Sequence, residues 1–304
     1  MKIKLHLGII LLSVSLLTAA QCGKKTQILV DGSSTVYPVT EAVAEEFRNV
    51  DSSVNVTVGI SGTGGGFKKF CHNETDISDA SRPIKSGEQE KCSANGVEYL
   101  EIPVAYDGLA VLTHKSNDWA QELTVAQLKQ IFQAESPAQT WKELNAAWPD
   151  EKIRIYAPGQ DSGTFDYFSE TILGKESKMR NDATFSEDDN MLVTGIAGDK
   201  FAIGFFGLAY YEENKEKLSL VKVVNPASGQ AVEPNLETVK SGQYAPLSRP
   251  IFIYISKKAA QRAEVRSFVD FYLEKVGVLV KDVGYIPLDQ NIYTKNAAEF
   301  KKFN

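Results

Sequence analysis

Histidine is nearly absent from this chain, with three residues in 304, and His6 lies in an N-terminal leader, which leaves only His72 and His114 in polar stretches. That scarcity removes the commonest general base and metal ligand. No His-Glu-x-x-His, no clustered ligand spacing and no Gly-x-Ser-x-Gly elbow occurs. Ser162 has no histidine with a claim to act as its base, and the acid pairs Asp188-Asp189 and Glu212-Glu213 read as solvated loops rather than acid–base couples. The glycine run 64–66 lacks the following Gly-Lys-Ser/Thr of a nucleotide-binding loop. Positive charge is also short: Lys and Arg number 33 against 39 Asp and Glu, for a net charge of −6, and −8 once Lys2 and Lys4 leave with residues 1–21. A nucleic-acid partner is therefore not expected. There is no internal repeat and no low-complexity linker. The composition points to a protein that is not an enzyme and needs no cofactor.

Apolar runs long enough to cross a membrane are missing as well. The longest, Leu7 to Ala20 behind Lys2 and Lys4, is too short and has the flanks of a secretory signal, taken here as residues 1–21. Thr18-Ala19-Ala20 could precede ordinary cleavage, whereas Leu16-Leu17-Thr18-Ala19-Ala20-Gln21-Cys22 resembles a lipobox in which Cys22 is lipidated, although Gln21 departs from the small residue usual there. Cysteines number three. An odd count in an exported chain is balanced if Cys22 takes a lipid and Cys71 pairs with Cys92. Such a bridge would stabilise by about 3 kcal/mol; the alternative is two buried free thiols.

The remaining 43% apolar and 24% charged residues suit a folded protein of one large or two medium domains. Short apolar strands alternate with helical patterns, the α/β signature. Strands are expected at 28–30, 54–58, 101–113, 153–156, 221–224 and 250–256, with 195–211 read as one buried strand. Helices are expected at 37–48, 86–94, 124–132, from 67, from 165, and finally near 259–276. Three Ser/Thr-Gly turns stand at strand ends ahead of helical patterns: Asp31-Gly32-Ser33-Ser34-Thr35-Val36, Ser61-Gly62-Thr63-Gly64-Gly65-Gly66-Phe67 and Gln160-Asp161-Ser162-Gly163-Thr164-Phe165. Hydroxyls and free N–H groups at the positive end of a helix suit a small oxyanion.

Three further positions bear on that pocket. Thr63 precedes three glycines whose backbone entropy must be offset, which close approach to a ligand would do. Arg82, after Ser81, either pairs with anion oxygens or makes a salt bridge to a neighbouring acid such as Asp79. Asp107 sits in an apolar strand where an unpaired carboxylate is costly. It either caps an Asp-Gly turn or accepts the proton of an oxyanion such as hydrogen phosphate, a proton that sulfate lacks near neutral pH.

The stretches Asp31–Pro38, Gly62–Lys68, Asp79–Ile84, Pro103–Leu109, Ser162–Phe165, Gly198–Gly207 and Pro246–Pro250 together resemble the phosphate-binding proteins that serve bacterial phosphate ABC importers. The resemblance covers nearly all of the chain after the leader. It implies a type II periplasmic-binding-protein fold of two α/β lobes joined by two crossover strands, near 104–112 and 250–256. The lobes would be 22–108 plus 252–304, and 109–251. It further implies that a dehydrated phosphate lies between them, on Ser34, Thr35, Thr63, Ser81, Arg82, Asp107, Ser162, Gly163 and Thr164. Partners would be inorganic phosphate and the permease of an ABC transporter. The protein would be a monomer in the periplasm or at the cell surface, touching the membrane only through a lipid on Cys22. A sulfate or molybdate receptor and a secreted phosphatase-like hydrolase are the competing readings. One departure matters: the best-known members carry an Arg shortly before the Ser-Gly-Thr turn and an Asp where this chain has Ser81. Pro158 stands four before Ser162 here, so the Arg role is assigned to Arg82 and the acceptor carboxylate to Asp107 or else Asp79, with Asp161 orienting the third turn.

Overall fold

The computed structural model describes residues 26–135, 137–160, 162–174, 177–186 and 188–304. Residues 1–21, expected above to be a signal, together with Cys22 and Asp161, lie outside the described residues. The chain opens with β1 (Thr26–Gly32), α1 (Tyr37–Val50), β2 (Val54–Ile60), α2 (Gly62–Phe70), β3 (Ile77–Ala80) and α3 (Ser86–Ala94). Val39, Val43, Ala44 and Phe47 recur at helical spacing and are the buried face of α1, and Pro38 falls in its first turn, where no N–H is needed. Strands β1, β2 and β3 pair in parallel, so their C-terminal ends, with the hydroxyl-rich turns, share one edge.

β4 (Tyr99–His114) is the long strand that ties the molecule together. Its first half pairs antiparallel with the strand Ser248–Ser256, and its second half with the strand Ala202–Gly207. Two cores divide along it. Ile102, Val104 and Ala105 pack with Ile28, Phe47, Ile253, Phe268 and Tyr272. Leu109 to Leu112 pack with Phe132, Trp141, Phe168, Phe205 and Phe206, with Phe168 stacked on Phe205 at 3.8 Å between ring centroids. Asp107 falls at the break. This is the two-lobed α/β fold, with β4 and Ser248–Ser256 running between the lobes. A third cluster, Phe67, Phe70 and Tyr254, is closed by a Cys71–Cys92 disulfide.

Three expectations are corrected. The stretch 195–211 is not one strand but the helix Asp189–Gly198, the strand Ala202–Gly207 and the helix Leu208–Asn214. Asp188, exposed as expected, caps the first of these by accepting from Asn190 N. Gly195 faces the Tyr156 ring so closely that a Cβ would lie 2.1 Å from Cε1, a helix-to-sheet contact read in sequence as strand. Next, α2 begins at Gly62 rather than near Phe67, so the glycines form its first turn. Finally, Ala263–Asp282 is followed by another helix, Gln290–Phe303.

Candidate functional site

The first turn is held rigidly. Ser33 N donates to the Asp79 carbonyl at 3.0 Å, Thr35 N donates to Ser33 Oγ at 3.2 Å, and Tyr285 Oη donates to the Thr35 carbonyl at 2.6 Å. The second turn is anchored from below. Ser61, at the N-cap of α2, donates from Oγ to the Asp31 carboxylate, which also takes Lys69 Nζ at 2.6 Å. Thr63 Oγ1 lies 3.0 Å from Ser81 Oγ and accepts from Ser81 N at 3.2 Å, joining α2 to the end of β3. The third turn starts the helix Gly163–Phe168, with Ser162 Oγ accepting from Thr164 N at 3.2 Å.

The first two turns and the end of β3 converge between the lobes on a cavity of about 350 Å³. Of the sequence-predicted residues, Ser34, Thr35, Thr63, Ser81 and Arg82 line it. Ser162, Gly163 and Thr164 are not on that wall; Gly163 packs against the first turn, and Thr164 lines another cavity. A Cβ on Gly163 would lie 2.5 Å from Thr35 Cα, and the Gly163 carbonyl accepts from Thr35 Oγ1 at 3.2 Å. Ser34 Oγ donates to Asp166 Oδ2 at 2.8 Å, so one residue from each lobe already touches across the cleft.

Arg82 is held bidentately by Glu88, at 2.8 and 2.9 Å, and not by Asp79. Burial pushes the Glu88 carboxyl up, but the Arg82 bonds, the Lys85 N–H and the Arg82 charge outweigh it, leaving the group below its ordinary value. Asp79 is fully buried under the first turn and takes Thr40 Oγ1 at 3.0 Å. Asp107 is also buried, and it opens onto a separate cavity with Thr164 and Tyr285. Burial raises its carboxyl, opposed by the charge and hydrogen bond of Arg249.

Arg249 is the cavity-lining charge that residue-by-residue reading missed. It stands directly opposite Asp107 in the antiparallel pair of crossover strands. Its Nε lies 3.4 Å from Asp107 Oδ2, its Nη2 donates to Thr35 Oγ1 at 3.0 Å, and its guanidinium sits 3.4 Å from the Tyr167 ring centroid. It lines the cavity together with Tyr167. A guanidinium fixed by a carboxylate behind, a ring face beside and a hydroxyl in front presents its remaining N–H donors in one orientation. The only available signal was its place in Pro246-Leu247-Ser248-Arg249-Pro250. No local pattern says that this segment returns to the first turn.

With the geometry in view, the likenesses to known proteins are decisive. Residues 18–276 match the PBP superfamily domain. The phosphate-binding protein PstS of Staphylococcus haemolyticus is 39% identical over 275 residues, 90% of this chain and 85% of that protein. This chain belongs to the phosphate-binding protein family. Protein SphX of Synechococcus elongatus is 50% identical, over 91% of this chain and 82% of its own length. A crystal structure from Planctomyces limnophilus, of a candidate phosphate-binding protein, is 44% identical with a TM-score of 0.89, over 92% of this chain and 99% of that one. Another, from Clostridium perfringens, of a candidate phosphate ABC transporter substrate-binding protein with bound phosphate, is 28% identical with a TM-score of 0.57, over 87% and 100%. The family consists of substrate-binding proteins and not of enzymes.

Proposed function

We propose that this protein binds inorganic phosphate outside the cytoplasmic membrane and delivers it to an ABC permease. The observation that carries this reading is the cavity between the lobes, where the first hydroxyl-bearing turn, the N-terminus of α2, Ser81 at the end of β3 and the oriented guanidinium of Arg249 meet. Ser34, Thr35, Thr63, Ser81 and Arg249 are the proposed ligand contacts, while Ser162, Gly163 and Thr164 buttress the first turn. Asp107 acts through Arg249, and Asp166 is the carboxylate on the wall that meets the ligand's proton. Sulfate has no such proton to offer, which disfavours the sulfate or molybdate reading.

The lobes 22–108 plus 252–304 and 109–251 would close about β4 and the strand Ser248–Ser256, as hinged binding proteins do. Residues 1–21 act as the export signal in this reading. Cys22 carries the lipid, supported by the Leu16–Cys22 pattern and by the pairing of the other two cysteines with each other. Among the described residues no helix is long and apolar enough to cross a membrane. The protein acts as a monomer.

Calorimetric titration of ligand-stripped protein with phosphate, sulfate and molybdate tests the function. Tight binding of phosphate alone is expected. Failure to bind phosphate, or equal binding of sulfate, would overturn it.

A further inference from the structure

Arg82 and Glu170 stand on opposite lobes at the mouth of the cleft. Arg82 follows β3 in the first lobe. Glu170 lies in the π-helical turn Ser169–Leu173 of the second, whose Ile172 and Leu173 are buried in the second core. A π turn inside a helix is often a functional insertion. Both residues line the central cavity and also the adjoining one of about 310 Å³, so they stand on the ridge between the two. Glu170 is exposed and makes no ion pair among the described residues.

The Arg82 side chain is preset. Glu88 grips two of its nitrogens, the Pro83 carbonyl accepts from Nη1 at 3.0 Å, and the guanidinium lies 5.6 Å from the Phe67 ring centroid. These contacts leave part of its donor fork free. Its protonation is favoured first by the Glu88 hydrogen bonds, against burial, and then by the charges of Glu88 and Glu170. The Glu170 charge is therefore felt at Arg82 across the cleft.

We propose that Arg82 and Glu170 form a latch between the lobes, with Glu170 taking the free side of the Arg82 guanidinium when the cleft closes. Arg82 then holds the closed form rather than the ligand. The energetic logic is local. Closure removes water from the ridge, which strengthens a charge-assisted hydrogen bond. Glu88 has already restrained Arg82, so only Glu170 must be ordered. The latch rests on the phosphate reading and specifies how that site retains its ligand.

The test exploits a reversal of sign. A carboxylate beside an anion site repels the anion, so Glu170→Gln with no other role should tighten phosphate binding. A latch requires the opposite. Phosphate titration and stopped-flow kinetics on wild type, E170Q, R82Q and the double variant separate the two. The expected result is a loss of affinity of about tenfold in E170Q, the size of a modest coupling. That loss should come from faster release at unchanged association, and the double variant should be no weaker than R82Q. Because Glu170 is exposed, E170Q decides the matter even if R82Q folds poorly. Wild type that binds phosphate while E170Q binds as tightly or more tightly overturns the latch and leaves the phosphate reading standing. Wild type that does not bind phosphate overturns both.

Discussion

Arg249 owes its role to its neighbours. Asp107 is buried behind it, Tyr167 stacks on it and Thr35 accepts from it. Breaking a buried pair by removing one partner costs about 3–5 kcal/mol, because the other charge is left uncompensated. Arg249→Gln is therefore expected to lower stability by that order and to abolish measurable phosphate binding. Adding Asp107→Asn should restore stability without restoring binding, as paired urea melts and calorimetry would reveal. Recovery of binding in the double variant would move the anion contact elsewhere. A second buried carboxyl, Asp79, behaves differently. Burial, opposed by the Thr40 hydrogen bond and aided by the Asp31 charge, raises its pKa from 3.8 to about 8. The folded chain thus keeps a proton that the unfolded chain releases above pH 3.8. Its stabilising contribution is complete below that value and is lost as pH rises through about 8, at up to about 1.4 kcal/mol per pH unit. Asp79→Asn keeps an oxygen for Thr40 and removes the titration. Urea midpoints of the variant should vary less between about pH 5 and pH 8 than those of wild type; equal slopes would show that Asp79 is ionised in the fold.

At the scale of elements, the crossover strands do two jobs. β4 and Ser248–Ser256 carry the chain between the lobes, and they bear Asp107 and Arg249 as cross-strand partners. The cavity-lining guanidinium of Arg249 is thereby placed on a strand that runs between the lobes, so in the proposed function ligand contact and lobe closure would meet there. Helix α2 is the other element whose ends matter. Its first turn carries Thr63 toward the cavity, and its C-cap, Cys71, is bridged to Cys92 in α3, the helix that also supplies Glu88 to Arg82. Replacing both cysteines by Ser removes a loop constraint across a sequence separation of 21, worth about 3 kcal/mol in the chain-entropy view. A midpoint loss of that order in urea is expected. An unchanged midpoint would mean that the Phe67–Phe70–Tyr254 cluster holds the two helices without the bridge. The glycines of α2 show why its start was misread: four of them lower intrinsic helix propensity, yet the Ser61–Asp31–Lys69 contacts below the turn override that weak local preference.

Across the whole molecule, the cavity lies between two cores divided within one strand, and contacts such as Ser34–Asp166 already cross it. Closure about the two crossover strands should make the particle more compact. Small-angle scattering is expected to give a smaller radius of gyration with saturating phosphate than without it, and no change on adding sulfate. An identical radius in all three conditions would mean that binding proceeds without lobe movement.

Strand–turn–helix alternation, the hydroxyl-rich turns and the apolar run of β4 were all legible in the amino-acid order, because each is set by neighbours a few residues apart. The family resemblance rested on those same short stretches. Cysteine parity likewise singled out Cys71 and Cys92. Only the tertiary structure decided which charges serve the cavity. Arg249 comes from 214 residues beyond Thr35, Glu88 claims Arg82 from a neighbouring helix, and Asp107 turns to Arg249. Partner choice among charges depends on which strands lie side by side, and a local pattern carries no record of that register. Gly195 was misread for a related reason: its lack of a side chain lets its helix approach Tyr156, a residue on a strand distant in sequence.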